Sequence, residues 1–188
     1  MTNLLDVDWS KIPAPKDDGA ASHLFGSRLP SVCLPATNGD EIELSKIDGR
    51  AVVYLYPMTG RPDTPLPDGW DMLPGARGCT PQSCEFRDHA VELKNVGAEH
   101  LFGLSTQPSE YQREAVERLH LPFPLLSDNE LALTHAMQLP TFVVGGTTFL
   151  KRLTMIIRDG EVEHTFYPVF PPDQNAMDVV TWLRENAT

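Results

Sequence analysis

Ala51-Val52-Val53-Tyr54-Leu55-Tyr56 is an unbroken apolar run of β-branched and aromatic residues. A run with no polar alternation reads as a strand buried on both faces, the place of a central strand in a largely parallel sheet. Pro57 ends it. Toward the N-terminus, Ser31-Val32-Cys33-Leu34 and Glu41-Ile42-Glu43-Leu44 flank Asn38-Gly39, a β-hairpin signal. Residues 1–24 carry Pro13, Pro15, Asp17, Asp18 and Gly19 without a clear period. They read as an N-terminal extension with at most a short helix, leaving 25–188 as one domain.

Toward the C-terminus, residues 58–76 are crowded with Pro62, Pro65, Pro67, Gly69, Pro74 and Gly75. A connection of this length reads as either a functional loop or a mobile insertion. A helix follows from about Thr80, with Phe86, Ala90 and Leu93 on one stripe. Residues 100–104 read as a second parallel strand, and Tyr111, Ala115, Val116 and Leu119 as the buried face of another helix. A short strand at Leu125-Leu126 and a short helix over 129–137 come next. Strands at 141–144 and 150–157 lie around Gly145-Gly146, and Asp159-Gly160 turns the chain into a strand over 161–167. Ala176, Val179, Val180 and Leu183 mark a closing helix. This order predicts an α/β fold, with a central mixed β-sheet flanked by helices and preceded by the hairpin.

The chain has 188 residues, 41% hydrophobic and 22% charged, the proportions of an ordinary soluble domain. A net charge of -11 argues against a nucleic-acid partner or an anionic membrane surface, because no basic patch is present to meet phosphates. No run of eighteen apolar residues predicts a spanning helix, and the first residues lack the basic start of a secretory signal. Three cysteines do not make a disulfide scaffold, so a reducing, cytoplasmic setting is expected. No cofactor or metal is expected either: C-x4-C is not a zinc spacing, and no glycine-rich phosphate loop or Ser-His-Asp arrangement stands out.

Two of the three cysteines share one window, Gly78-Cys79-Thr80-Pro81-Gln82-Ser83-Cys84-Glu85-Phe86-Arg87-Asp88. A thiol at a helix N-terminus sits at the positive end of the helix dipole, which favours thiolate. Arg77, Arg87 and the distant Arg152 are candidate cationic neighbours. A second thiol nearby can trap the oxidised form of the first. Five residues of unbroken helix put the two Cα atoms about 8 Å apart, while a disulfide needs them within about 7 Å. A Cys79–Cys84 bond therefore requires the first turn to unwind. The alternative is a pair of cysteines that pack as small apolar groups. Cys33 reads as such a packed thiol in its strand, and His89 as a surface or capping group.

The pattern Gly78-Cys79-Thr80-x-x-x-Cys84-x-Phe86-Arg87-Asp88 resembles the active-site helix of Q-type peroxiredoxins, the bacterioferritin comigratory proteins. The resemblance continues through Leu34-Pro35-Ala36-Thr37-Asn38-Gly39, Val52 to Pro57, Leu125-Leu126-Ser127-Asp128 and Lys151-Arg152-Leu153-Thr154, the last of these also similar to the type II/5 branch. It implies a thioredoxin-like fold and a thiol-dependent peroxidase. Cys79 would be peroxidatic, Cys84 resolving, and Arg152 the cation beside them. The substrate would be hydrogen peroxide or an organic hydroperoxide, the reductant thioredoxin or a similar dithiol, and the protein a monomer or homodimer. The sequence departs from the family within the site. The hydroxyl residue expected three before the nucleophile is Ala76, and an insertion of about fifteen residues separates Pro57 from Cys79. Thr59, Thr64 and Thr80 are the candidates to replace that hydroxyl, Thr80 being also a possible helix cap. The glutamate often found three after the nucleophile is Gln82. A thiol–disulfide oxidoreductase or a redox sensor on the same fold are the alternatives.

Overall fold

The computed structural model describes residues 7–187; the start of the expected N-terminal extension, residues 1–6, and Thr188 lie outside them. The described strands are β1 (Cys33–Pro35), β2 (Glu41–Glu43), β3 (Arg50–Leu55), β4 (His100–Ser105), β5 (Leu125–Ser127), β6 (Thr141–Val144), β7 (Thr147–Leu150), β8 (Leu153–Arg158) and β9 (Glu161–Phe166). The helices are α1 (Cys79–Asp88), α2 (Ala90–Asn95), α3 (Ser109–Leu119), α4 (Ala132–Met137) and α5 (Asn175–Glu185).

The apolar run at 51–56 forms the middle of a five-stranded sheet ordered β5-β4-β3-β8-β9. β3 pairs in parallel with β4, as does β4 with β5, while β8 pairs antiparallel with both β3 and β9. Every residue of β3 is buried, because both faces of the sheet are covered. Ala51, Val53 and Leu55 face a core completed by Leu24, the hairpin's Leu34 and Leu133 and Met137 of α4. Val52, Tyr54 and Tyr56 face the other core with Phe86, Leu93, Ala115 and Val180 of the remaining helices. The two-residue periodicity of a strand makes this division. Gly103 on β4 lets the Tyr54 ring lie against the sheet; a Cβ there would sit 2.7 Å from Tyr54 Cζ.

Three local features differ from the sequence reading, and a fourth concerns the inserted loop. The helix expected through Phe86, Ala90 and Leu93 is two helices, broken at His89 (φ -99°, ψ 6°), whose ring Nδ1 lies 3.0 Å from Glu85 O. The strand expected over 150–157 is interrupted at Lys151 and Arg152, which join β7 to β8. Cys33 is exposed rather than packed: β1 is three residues long and Leu34 takes its inward position, so alternation turns Cys33 outward. The inserted residues 58–76 are anchored by Trp70, which packs with Ala76 and Phe149 in a third apolar cluster.

Candidate active site

Cys79 is the first residue of α1, directly after the C-terminal end of β3 in space. The N-cap is Gly78 at φ 106°, and no side chain caps the helix, so the amides of the first turn remain directed at the site. Cys79 is 3% exposed. Its Sγ accepts from Arg152 Nη2 at 3.3 Å and directs its own S–H toward Ala76 O at 3.6 Å.

Arg152 is equally buried. Pairing of Leu55 with Leu153 brings the interrupted β7–β8 connection to the end of β3, and with it the guanidinium. Nη2 also donates to the carbonyls of Gly75, Ala76 and Arg77 at 3.1–3.3 Å. Nη1 donates to Gln82 Oε1. Gln82 in turn donates to Asn175 Oδ1 at 3.0 Å, which also accepts from the Thr154 hydroxyl at 2.6 Å. This buried, uncharged relay fixes the guanidinium fork. Among the described residues, no salt bridge to a carboxylate involves Arg152.

The other cations named from the sequence lie elsewhere. Arg77 pairs with Asp71 at 3.2 Å. Arg87 pairs with Asp88 and donates to Leu119 O, on the Cys84 side of the helix. Burial pushes the Cys84 thiol up from its ordinary pKa, with Arg87 pulling the other way. Neither thiol is bonded to the other, and both stand on one continuous helix.

A cavity of about 180 Å³ opens at Cys79, lined by Val7, Met58, Leu66, Trp70, Ala76 and Thr80 among others. The insertion and the N-terminal segment thus supply walls of the site. A larger cavity of about 270 Å³, lined by Leu73, Phe142, Lys151 and Tyr167, lies on the other side of Arg152 and does not include Cys79. Thr80 is buried in the first turn and lines the smaller cavity, but makes no capping bond. Thr64 is exposed and faces Asp63. Thr59 is buried with its hydroxyl unpartnered and does not line the cavity, whereas Met58 and Gly60 beside it do. Of the three threonines, Thr80 alone lines the cavity beside Cys79.

Sequence reasoning did not find the relay through Asn175 and Thr154. Gln82 carried a usable signal, since a residue three after Cys79 shares its helix face. Asn175, 93 positions away from Gln82, carried none.

Residues 25–180 match the Redoxin family model. Peroxiredoxin Bcp of Escherichia coli K12 is 31% identical over 171 residues, 86% of this chain and 96% of that protein. A chloroplastic peroxiredoxin Q of Oryza sativa subsp. japonica is also 31% identical, over 161 residues, and the match covers 85% of this chain and 66% of the rice protein's length. Among solved structures, peroxidoxin BcpB of Mycobacterium tuberculosis superposes with a TM-score of 0.70 at 27% identity, covering 87% of this chain and 98% of that one. Peroxiredoxin Q of Xanthomonas campestris shares the fold, with a TM-score of 0.66 at 22% identity over 85% and 96% of the two chains. With a thioredoxin-like sheet, a cysteine opening α1 and these relatives, the chain belongs to the Redoxin family, as a peroxiredoxin of the Q/Bcp type.

Proposed function

We propose that this protein is a thiol-dependent peroxidase for hydrogen peroxide and organic hydroperoxides. The observation that carries the reading is Cys79 Sγ at the start of α1, 3.3 Å from the buried Arg152 guanidinium and open to a cavity with apolar walls. The Cys79 thiolate attacks one oxygen of the hydroperoxide. A sulfur–oxygen bond forms, the O–O bond breaks, and the departing alkoxide or hydroxide leaves as alcohol or water after taking a proton. Arg152 is positioned to hold the charge that develops on oxygen, and Thr80 to hydrogen-bond the bound peroxide. Cys84 then attacks the Cys79 sulfenic acid, the disulfide forms and water leaves. A thioredoxin-like dithiol restores both thiols and is itself oxidised. The cavity's Met58, Leu66 and Trp70 suit the apolar part of an organic hydroperoxide.

The family match beginning at residue 25 supports the division into an extension over 1–24 and a catalytic domain over 25–188. The few cysteines support a reducing compartment such as the cytoplasm.

Stopped-flow oxidation of the reduced protein is the test. Cys79→Ser is expected to lose the reaction with peroxide; a parent-like rate in that variant overturns the assignment. Cys84→Ser is expected to react once and stall as sulfenic acid.

A further inference from the structure

Residues 7–18 cross the mouth of the site as a strap. Val7 lines the cavity at Cys79. Trp9 stands in a short 3-10 turn, Trp9–Lys11, capped by Asp8, and lays its indole over Gly78. A Cβ built on Gly78 would lie 2.8 Å from Trp9 Cη2 and 2.3 Å from Pro172 Cγ. The strap and the turn Pro172–Gln174 that leads into α5 thus both close over the backbone just before Cys79. A hydrogen bond ties the strap to this turn: Trp9 Nε1 donates to Asp173 Oδ2 at 2.6 Å. The indole also packs edge-on against Phe170, at 6.0 Å and 81°. Asp173 Oδ1 is buried without a partner, so the indole N–H is a contact this carboxylate loses at a cost. Further along, Pro15 lies against Gly75, and Asp18 accepts from Lys151 at 2.5 Å and Tyr167 at 2.7 Å.

The resolving step needs this same backbone to move. Cys79 and Cys84 begin about 8 Å apart on the intact helix, beyond disulfide reach. Unwinding the first turn moves Gly78 and Cys79 away from their contacts with Trp9 and Pro172. We propose that Trp9 and Asp173 clamp the folded first turn of α1, so that the strap must lift before Cys84 can reach Cys79. This rests on the peroxidase reading above and adds a control point to it. Peroxide reduction occurs with the clamp closed, and disulfide formation requires it open. While it is closed, the Cys79 sulfenic acid is exposed to a second hydroperoxide. That molecule would oxidise it to sulfinic acid and leave as alcohol or water. Trp9 and Asp173 are positioning residues here; neither touches the reacting atoms.

The test is rapid-quench mass mapping of the full chain after a peroxide pulse, with parent, Trp9→Ala, Trp9→Phe and Asp173→Asn compared. Losing one hydrogen bond to a charged group corresponds to about tenfold in rate. Trp9→Ala is expected to form the Cys79–Cys84 disulfide about tenfold faster. The peroxide concentration that gives half sulfinic acid should rise by a similar factor. The rate constant for the first oxidation should change by less than about twofold. Trp9→Phe keeps the ring and drops the N–H, so it should fall between parent and Trp9→Ala; with Asp173→Asn it carries the test if the alanine variant folds poorly. Disulfide formation within twofold of the parent in these variants, with first oxidation intact, overturns the clamp alone. A loss in both steps together, the mark of a merely structural role, also overturns it. Absence of any peroxide-dependent change at Cys79 in the parent overturns the peroxidase reading itself.

Discussion

Cys84 is nearly as buried as Cys79 but lacks its surroundings. Its neighbour Arg87 is occupied by Asp88 and by a carbonyl, and burial dominates, pushing the thiol up. A thiol with a raised pKa holds its proton at neutral pH, and the thiolate is the form that attacks a sulfenic acid. Raising the pH removes that proton, so disulfide formation should accelerate with pH. The expected rise is up to about tenfold per unit between pH 6 and 8, with no plateau below the ordinary thiol value of about 8.5. Rapid quench over that range checks it; a flat profile would show that something other than Cys84 ionisation limits the step. At this scale the sequence was informative where chemistry is local. Two thiols within one helix could be read directly, and so could a cation two residues before β8's Thr154. Which cation reaches the sulfur depended on the pairing of β3 with β8, which no local pattern states.

At the scale of elements, β3 and α5 were legible because their residue pattern matches their burial. Val179, Val180 and Leu183 are buried as their helical spacing predicts. Boundaries set by single side chains were not legible. His89 divides α1 from α2, and Arg152 interrupts the strand run because a guanidinium must reach the site while its neighbours continue the sheet. The seat of α1 on the sheet is the stack of Phe86 on Tyr54, with centroids 4.4 Å apart and planes 8° from parallel. Phe86 is fully buried, so Phe86→Ala leaves a void at this contact. The expected cost is about 3–5 kcal/mol, read from the urea midpoint at unchanged slope. A cost below 1 kcal/mol would mean that α1 is held chiefly by its contacts with α5.

Across the whole molecule, stability and chemistry occupy opposite ends of β3. At its N-terminal end the buried Arg50 donates twice to Glu163, at 2.7 and 2.8 Å, and once to Asn186 O, with its guanidinium 5.5 Å from the Trp182 ring. Glu163→Ala would strand that charge, at a cost of about 3 kcal/mol. For a chain of this size the melting temperature should fall by about 6–12 °C. The rate of Cys79 oxidation at 25 °C should stay at the parent value, because Cys79 lies beyond the other end of the strand. Calorimetry beside peroxide kinetics checks both, and a matching loss of rate would show the two ends to be coupled.

The acceptors around Arg152 are three carbonyls and one amide oxygen, none of them an anion. In the proposed peroxidase cycle, the anion that meets this guanidinium is the attacking Cys79 thiolate. When that thiolate is converted in the cycle to a sulfenic acid its charge is lost, and the guanidinium is left buried with dipoles alone. A buried charge that loses its counter-ion destabilises the arrangement around it. Oxidation of Cys79 thus works against the packing that made it reactive, and the reaction carries its own impulse toward opening the helix.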